Sequence, residues 1–243
     1  MEHDDLEPPL RRSCLLVAGN APAHLKGAAR FPADELIFDL AGVVTAEKDT
    51  ARAAIIEALT EQAYGEPIVS VRVNPIDTMW AYRDVVDIVE RAGDFVDCIT
   101  IPGVRSPADV EFVDMLLRMI EERIDLAHNI AIEAQIDSAQ GLTLVDDIAF
   151  ASDRIEALVL DSAGTADALG TAPADGSLLH PVRMTVLVAA RTAGVQAVEA
   201  YGHQMRNEMY RAAAERSHAL GYDGAWCTHP DQLRAANEVF LEV

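Results

Sequence analysis

Lysine is almost missing from this sequence: among 19 basic residues only Lys26 and Lys48 are lysines, the rest being arginines. A Schiff-base mechanism needs a lysine buried in its pocket. Both lysines fall in segments that read as helix or helix start, so that chemistry is not expected. Positive charge is scarce altogether. Asp and Glu number 40 and the formal net charge is −21, which excludes nucleic acid as a partner, because phosphate binding requires a basic footprint. The acidic excess reads as a solvated surface. No apolar run approaches the roughly 18 residues that cross a bilayer, so a membrane span is excluded. The opening MEHDDLEPPLRR lacks an apolar signal core, which predicts a cytoplasmic chain. The three cysteines, Cys14, Cys98 and Cys227, form no CxxC or Cys/His metal spacing. Each lies in a short apolar run and reads as a buried thiol. Aromatics make up only 5% of the residues, so the core must be built from Ala, Val, Leu and Ile.

What the sequence does contain is alternation. Eight strand-like runs are legible: Ser13–Val17, Glu35–Leu40, Ile68–Val73, Val96–Ile101, Ile130–Ile136, Ala157–Leu160, Gln196–Ala200 and Gly224–Cys227. Between them stand amphipathic stretches such as EKDTARAAIIEALTEQA, PADVEFVDMLLRMIEER and RMTVLVAARTAG, with apolar residues at helical spacing. Short apolar strands alternating with such helices predict parallel strands joined by crossover helices. Eight units predict a closed (β/α)₈ TIM barrel over residues 13–243 as a single domain, with an open doubly wound sheet as the alternative. Residues 1–12 read as a flexible N-terminal arm. Ser106-Pro107 and Pro230 mark helix starts; Gly93, Gly194 and Gly221 mark left-handed helix ends.

In a parallel barrel, chemistry sits at the C-terminal ends of the strands. Those ends present Asn20, Asp39, Arg72, Asn74, Asp137, Ser138, Asp161, His203 and His229. One arginine among carboxylates and imidazoles suits a small anionic ligand. Arg72 is charged at any relevant pH and grips carboxylates through two parallel hydrogen bonds, its alternative being an ion pair to Asp39 or Asp137. His203 and His229 titrate near neutrality, with a loop-closing role as the alternative for His229. Trp80 and Trp226 read as packing residues.

Several segments resemble the HpcH/HpaI aldolase and citrate lyase β-subunit family. RRSCLLVAGNAP is similar to its opening RRS-L-VPGN-P, EKDTAR to EKD-AR, and VRVN to its RVN strand. IDSAQGL stands where the family has IES-GL, and LGYDGAWCTHPDQLRAANEVF resembles GFDGKW-IHP-QI--VN-VF. The ordered matches run from Arg11 to Phe240. The resemblance implies a carbon–carbon lyase that joins or splits a 2-oxo acid and an acyl thioester with Mg²⁺, held by the Glu of IES and the Asp of a following GAED.

This sequence departs there. Asp137 replaces that Glu, and GAED reads Asp161-Ser162-Ala163-Gly164. The family's DLEDAV reads DLAGVV, leaving Ala41 and Gly42 where two acids stand, and Gly103 replaces a lysine. No cofactor is expected, and a Mg²⁺ site would have to be a displaced one built on Asp137 and Asp161. The expected function is diverged lyase chemistry on a carboxylated acyl thioester or a 2-oxo or 3-hydroxy acid. Asp137, Arg72 and His203 would be catalytic; Arg72, Asn20, Asn74, Asp39, Ser138 and Asp161 would bind substrate. The alternative is a binding or scaffold subunit of a multienzyme assembly. The resemblance further implies a homo-oligomer, a trimer or hexamer. The C-terminal lid segment of longer relatives is expected to be absent.

Overall fold

A computed structural model describes residues 9–171, 179–202 and 205–241. Eight parallel strands close into one barrel in sequence order. They are β1 (Ser13–Ala18), β2 (Glu35–Asp39), β3 (Ile68–Arg72), β4 (Cys98–Ile101), β5 (Ala131–Ile136), β6 (Ile155–Asp161), β7 (Gln196–Ala200) and β8 (Gly224–Cys227). The closed barrel answers the choice between barrel and open sheet. Closure runs through β1 and β8, with Ser13 paired to Ala225 and Leu15 to Cys227. The helices of the described residues are α1 (Pro22–Gly27), α2 (Lys48–Glu61), α3 (Ala81–Ala92), α4 (Pro107–Ile124), α5 (Ala139–Thr143), α6 (Val145–Ala149), α7 (Ser162–Ala168), α8 (His180–Ala193), α9 (Asn207–Leu220) and α10 (Leu233–Val239). None is long and apolar enough to cross a membrane.

The period of two along each strand sorts side chains between two compartments. Leu36, Phe38 and Leu40 face outward into the layer shared with the helices, joined there by Val69, Val71, Ile99 and Ile101. Cys14, Ile37, Val159, Val198 and Trp226 form a separate cluster inside the barrel. Burial of each large aliphatic side chain contributes roughly 1.5–3 kcal/mol, so the thin lumen cluster matters less to stability than the outer layer. The same alternation turns Asp39, Arg72, Gln135 and Asp161 inward at the C-terminal ends of β2, β3, β5 and β6.

Helix ends follow the sequence at most positions. Ser106 and Asp109 form a reciprocal capping box at the start of α4, with Pro107 as its first residue. Gly194 and Gly221 adopt φ of 75° and 108° and close α8 and α9 in the left-handed conformation. Gly93 does not: its φ is −55° and the chain passes directly into a 3₁₀ turn at Gly93–Phe95. The left-handed cap is found instead at Asp125 after α4, with φ of 56°. Arg11 and Arg12, expected to belong to the arm, are instead held by the barrel. Arg12 binds Asp34 at 2.7 Å, and Arg11 is buried at the barrel floor, where carboxylates draw it in.

At that floor Arg11 donates to Glu133 at 2.7 Å, to Glu156 at 2.6 Å and to Gln196 at 3.3 Å. Glu35 lies 3.9 Å from the same guanidinium but neither of its oxygens finds a hydrogen bond among the described residues. Burial, reinforced by Glu133 and opposed by Arg11, pushes the Glu35 carboxyl well above its usual range.

Candidate active site

The mouth of the barrel is built around Arg72. Its Nε donates to Gln135 Oε1 at 2.9 Å and its Nη1 to Asp39 Oδ1 at 3.0 Å. Nη2 has no hydrogen bond among the described residues. The guanidinium sits 5.5 Å from the Trp226 ring centroid, within reach of a cation–π attraction. Trp226 therefore does more than fill space, and its buried Nε1 has no acceptor among the described residues. A cavity of about 230 Å³ opens here, lined by Arg72, Asp161, Gly164, Tyr201, Trp226 and Thr228 among others. A volume of this size fits a small organic acid.

Each carboxylate of the mouth has a different occupation. Asp39 accepts from the Gly42 N–H at 3.2 Å as well as from Arg72. Asp161 caps α7, accepting from the N–H groups of Ala163 at 3.1 Å and Gly164 at 2.9 Å through Oδ1. Its Oδ2 accepts from Gln135 Nε2 at 3.1 Å. Asp137 is half-buried. Burial, then the neighbouring Asp161, raises its carboxyl above the usual range, with Arg72 and Arg105 pulling the other way.

The remaining expected residues are placed elsewhere or used otherwise. Asn74 is buried against α3, where Asp84 accepts from its Nδ2 at 2.5 Å and its Oδ1 accepts from Lys48, so its amide is spent on structure. Ser138 accepts from the Gly141 N–H at 3.1 Å as the cap of α5. Asn20 is exposed and donates to Glu47 at 2.6 Å. His229 accepts from the Asp231 N–H at 3.2 Å and closes the loop after β8. His203 lies outside the described residues. Glu199, at the end of β7, points outward and away from the mouth. There it accepts from Arg183 at 2.7 Å and from Ser162 and Ser217, and Ser217 in turn receives the Tyr201 hydroxyl at 2.8 Å. Of the expected residues that are described, Arg72, Asp39, Asp161 and Asp137 converge.

Two residues of the mouth are not evident from the list of strand ends. Lys48 opens α2 but sends its ammonium back to Leu40 O at 3.2 Å, Ala41 O at 3.5 Å and Asn74 Oδ1. Those three acceptors match an ammonium's three protons, so Lys48 clamps the ends of β2 and β3; burial pulls its pKa below the usual lysine range, with Asp84 and Asp39 acting the other way. The EKDTAR segment is its signal. Gln135 follows from the inward alternation of Glu133 and Gln135 on β5, continued by Asp137 just beyond its end.

The donors do not suit a divalent hard cation, which wants several carboxylate oxygens. Gly164 offers none, and a Cβ placed on it would lie 3.1 Å from both Asp137 Cβ and Asp161 Oδ2. An acid at position 164 would therefore compete with Asp161 for the same space. Asp39 and Asp161 are already hydrogen-bonded, leaving Asp137 alone. The described residues contain no cluster of three His, Cys, Asp or Glu side chains able to hold a metal.

A second cleft, about 680 Å³, opens at the opposite end between α4 and the starts of β5 and β6. Arg154, which lines it, pairs with Glu121 at 2.5 Å and with Asp114 at 2.7 Å. It lies at the end of the barrel associated with stability and not with chemistry.

Known proteins match this chain over almost its whole length. The HpcH/HpaI aldolase/citrate lyase family model covers residues 12–230. An L-malyl-CoA/β-methylmalyl-CoA lyase of Cereibacter sphaeroides is 37% identical over 255 residues, covering 96% of this chain and 80% of that protein. The citrate lyase β subunit of Leuconostoc mesenteroides subsp. cremoris is 34% identical, over 95% of this chain and 77% of that protein. Among solved structures, the citrate lyase β subunit of Mycobacterium tuberculosis complexed with oxaloacetate and magnesium superposes with a TM-score of 0.74 at 25% identity, over 95% of this chain and 97% of that one.

Proposed function

The chain belongs to the HpcH/HpaI aldolase and citrate lyase family, and from that premise we propose that it is a diverged carbon–carbon lyase for a small carboxylate or a carboxylated acyl thioester. One observation carries this reading: an arginine held inward at a barrel mouth, with an unused nitrogen, beside a cavity of about 230 Å³. Arg72 anchors the carboxylate of a 2-oxo or 3-hydroxy acid. Asp137 moves the proton, because a carboxyl with a raised pKa exchanges protons closer to neutral pH. In the cleaving direction Asp137 takes the proton of the substrate hydroxyl and that carbon becomes the oxo group. The electrons of the broken C–C bond pass to the thioester enolate, which then takes a proton.

The same reading needs no resident metal, given the unsuitable donors around Gly164. Malyl-CoA is a direct probe. Its cleavage is expected to proceed in EDTA and to gain less than about twofold from millimolar Mg²⁺, and the released oxo acid is the readout. Cleavage that EDTA abolishes and Mg²⁺ restores would overturn the metal-free part. Absence of turnover, with neither oxaloacetate nor acetoacetate bound, would leave the scaffold reading. Self-association belongs to this reading too. Phe112, Met115 and Met119 are exposed at helical spacing along α4, an apolar stripe suited to a helical interface. A trimer or hexamer is expected by light scattering, and a monomer at micromolar concentration would refute it.

A further inference from the structure

Among the described residues, Gln135 links the β3 side of the mouth to the α7 cap, with a hydrogen bond at each end of its amide. This residue is fully buried. Its Oε1 receives Arg72 Nε at 2.9 Å and its Nε2 donates to Asp161 Oδ2 at 3.1 Å. A carboxamide turned over would set an amide N–H₂ against the guanidinium and a carbonyl against the carboxylate. The charges on both sides therefore fix its orientation. Being neutral, the amide also ties Arg72 to Asp161 without cancelling the guanidinium charge.

We propose that Gln135 is a positioning residue that holds the Arg72 guanidinium against Trp226 with Nη2 left open for a ligand carboxylate. The inference rests on Arg72 as the carboxylate anchor of the proposed function. It makes the site favour ligands that bring their own negative end, because a carboxylate forms a charge-assisted pair with the open nitrogen that is about twice as strong as a hydrogen bond between neutral groups. The charged groups facing this amide are Arg72, Asp39, Asp137 and Asp161.

The test uses the full chain with Trp80→Phe, which leaves Trp226 as the sole tryptophan beside Arg72. Gln135→Glu and Gln135→Met are then compared with that parent from pH 5 to pH 8. In Gln135→Glu, the ionised carboxylate neutralises Arg72 and repels Asp161. Once protonated, the new carboxyl presents a carbonyl to Arg72 and an O–H to Asp161, the same pattern as the amide. Trp226 emission of Gln135→Glu should therefore differ from the parent at pH 8 and converge on it towards pH 5. Acetoacetate affinity should be at least about tenfold weaker at pH 8 and recover in the same direction, with the parent's own profile divided out. Gln135→Met, which neither donates nor accepts, should shift emission by the same amount at every pH. If the added charge unfolds the barrel at pH 8, Gln135→Met decides alone, and unchanged Trp226 emission in it refutes the role. Equal, pH-independent shifts in both variants would also refute it, since that is the behaviour of a packing residue. If acetoacetate binds none of the proteins, parent included, while emission follows residue 135 as described, the proposed function fails and the positioning role stands.

Discussion

At the floor of the barrel Arg11 is buried among Glu35, Glu133 and Glu156, while at the mouth Arg72 lies against Asp39 and Gln135. The ingredients are alike, an arginine turned inward among carboxylates, yet their surroundings separate them. Arg11 uses all three guanidinium nitrogens within the protein and has no solvent contact through its side chain. Arg72 uses two, borders a cavity, and retains about a tenth of its side chain's exposure. Burial and donor saturation turn the first cluster into structure; an open nitrogen and a cavity make the second a candidate for binding. Residue type alone does not distinguish them.

Removing each arginine is the sharpest way to break this contrast. Arg11→Ala leaves Glu133 buried without its cation, a loss of about 3–5 kcal/mol for a broken buried pair. A large fall in Tm or an insoluble product is expected, and a Tm within a degree or two of the parent would dissolve the distinction. Arg72→Ala should cost less in stability, about 1–2 kcal/mol, because Asp39 keeps its bond to the Gly42 N–H. Its larger effect is on ligand. A charged hydrogen bond contributes about 1.5–3 kcal/mol, so oxaloacetate or acetoacetate should bind at least about tenfold more weakly by calorimetry.

The smallest effect concerns protons at the floor. Glu35 keeps its proton in the folded barrel well above 4.5, its ordinary value. Above that pH the unfolded chain releases a proton that the folded chain retains, so stability falls as pH rises. Glu35→Gln removes this dependence. The Tm of the variant minus that of the parent should grow between pH 5 and pH 8, and parallel curves would contradict the assignment.

The strands were legible because apolar runs of four to seven residues have one use when helices separate them, and β7 and β8 begin and end where alternation places them. Arg72 and Asp161 were legible as strand-end polar residues. Asn74 and Ser138 look equivalent by position but are consumed locally, by Asp84 and Lys48 in one case and by a helix cap in the other. A one-dimensional list of strand ends cannot separate a side chain facing the lumen from one bonded to the next helix. Lys48 opens a helix and so looks remote from the mouth, although a four-carbon stem spans the distance back to Ala41. Gly93 fails as a cap because a 3₁₀ turn continues the right-handed path there.

The seam between β1 and β8 carries a consequence in time. Ser13 pairs with Ala225, so about 210 residues must be made before the first strand meets its second neighbour. At the synthesis rates of roughly 5–20 residues per second, β1 waits with one edge unpaired for about 10–40 s. For the earlier part of that interval Arg11 lacks Glu133 and Glu156, which arrive with β5 and β6. Gly224 completes the wait, because a Cβ at that position would fall 1.8 Å from the Arg11 carbonyl oxygen. A larger residue there would obstruct the last joining step of the barrel after every other strand is in place, and its damage would show first as slow or failed maturation of a chain whose first seven strands were made correctly.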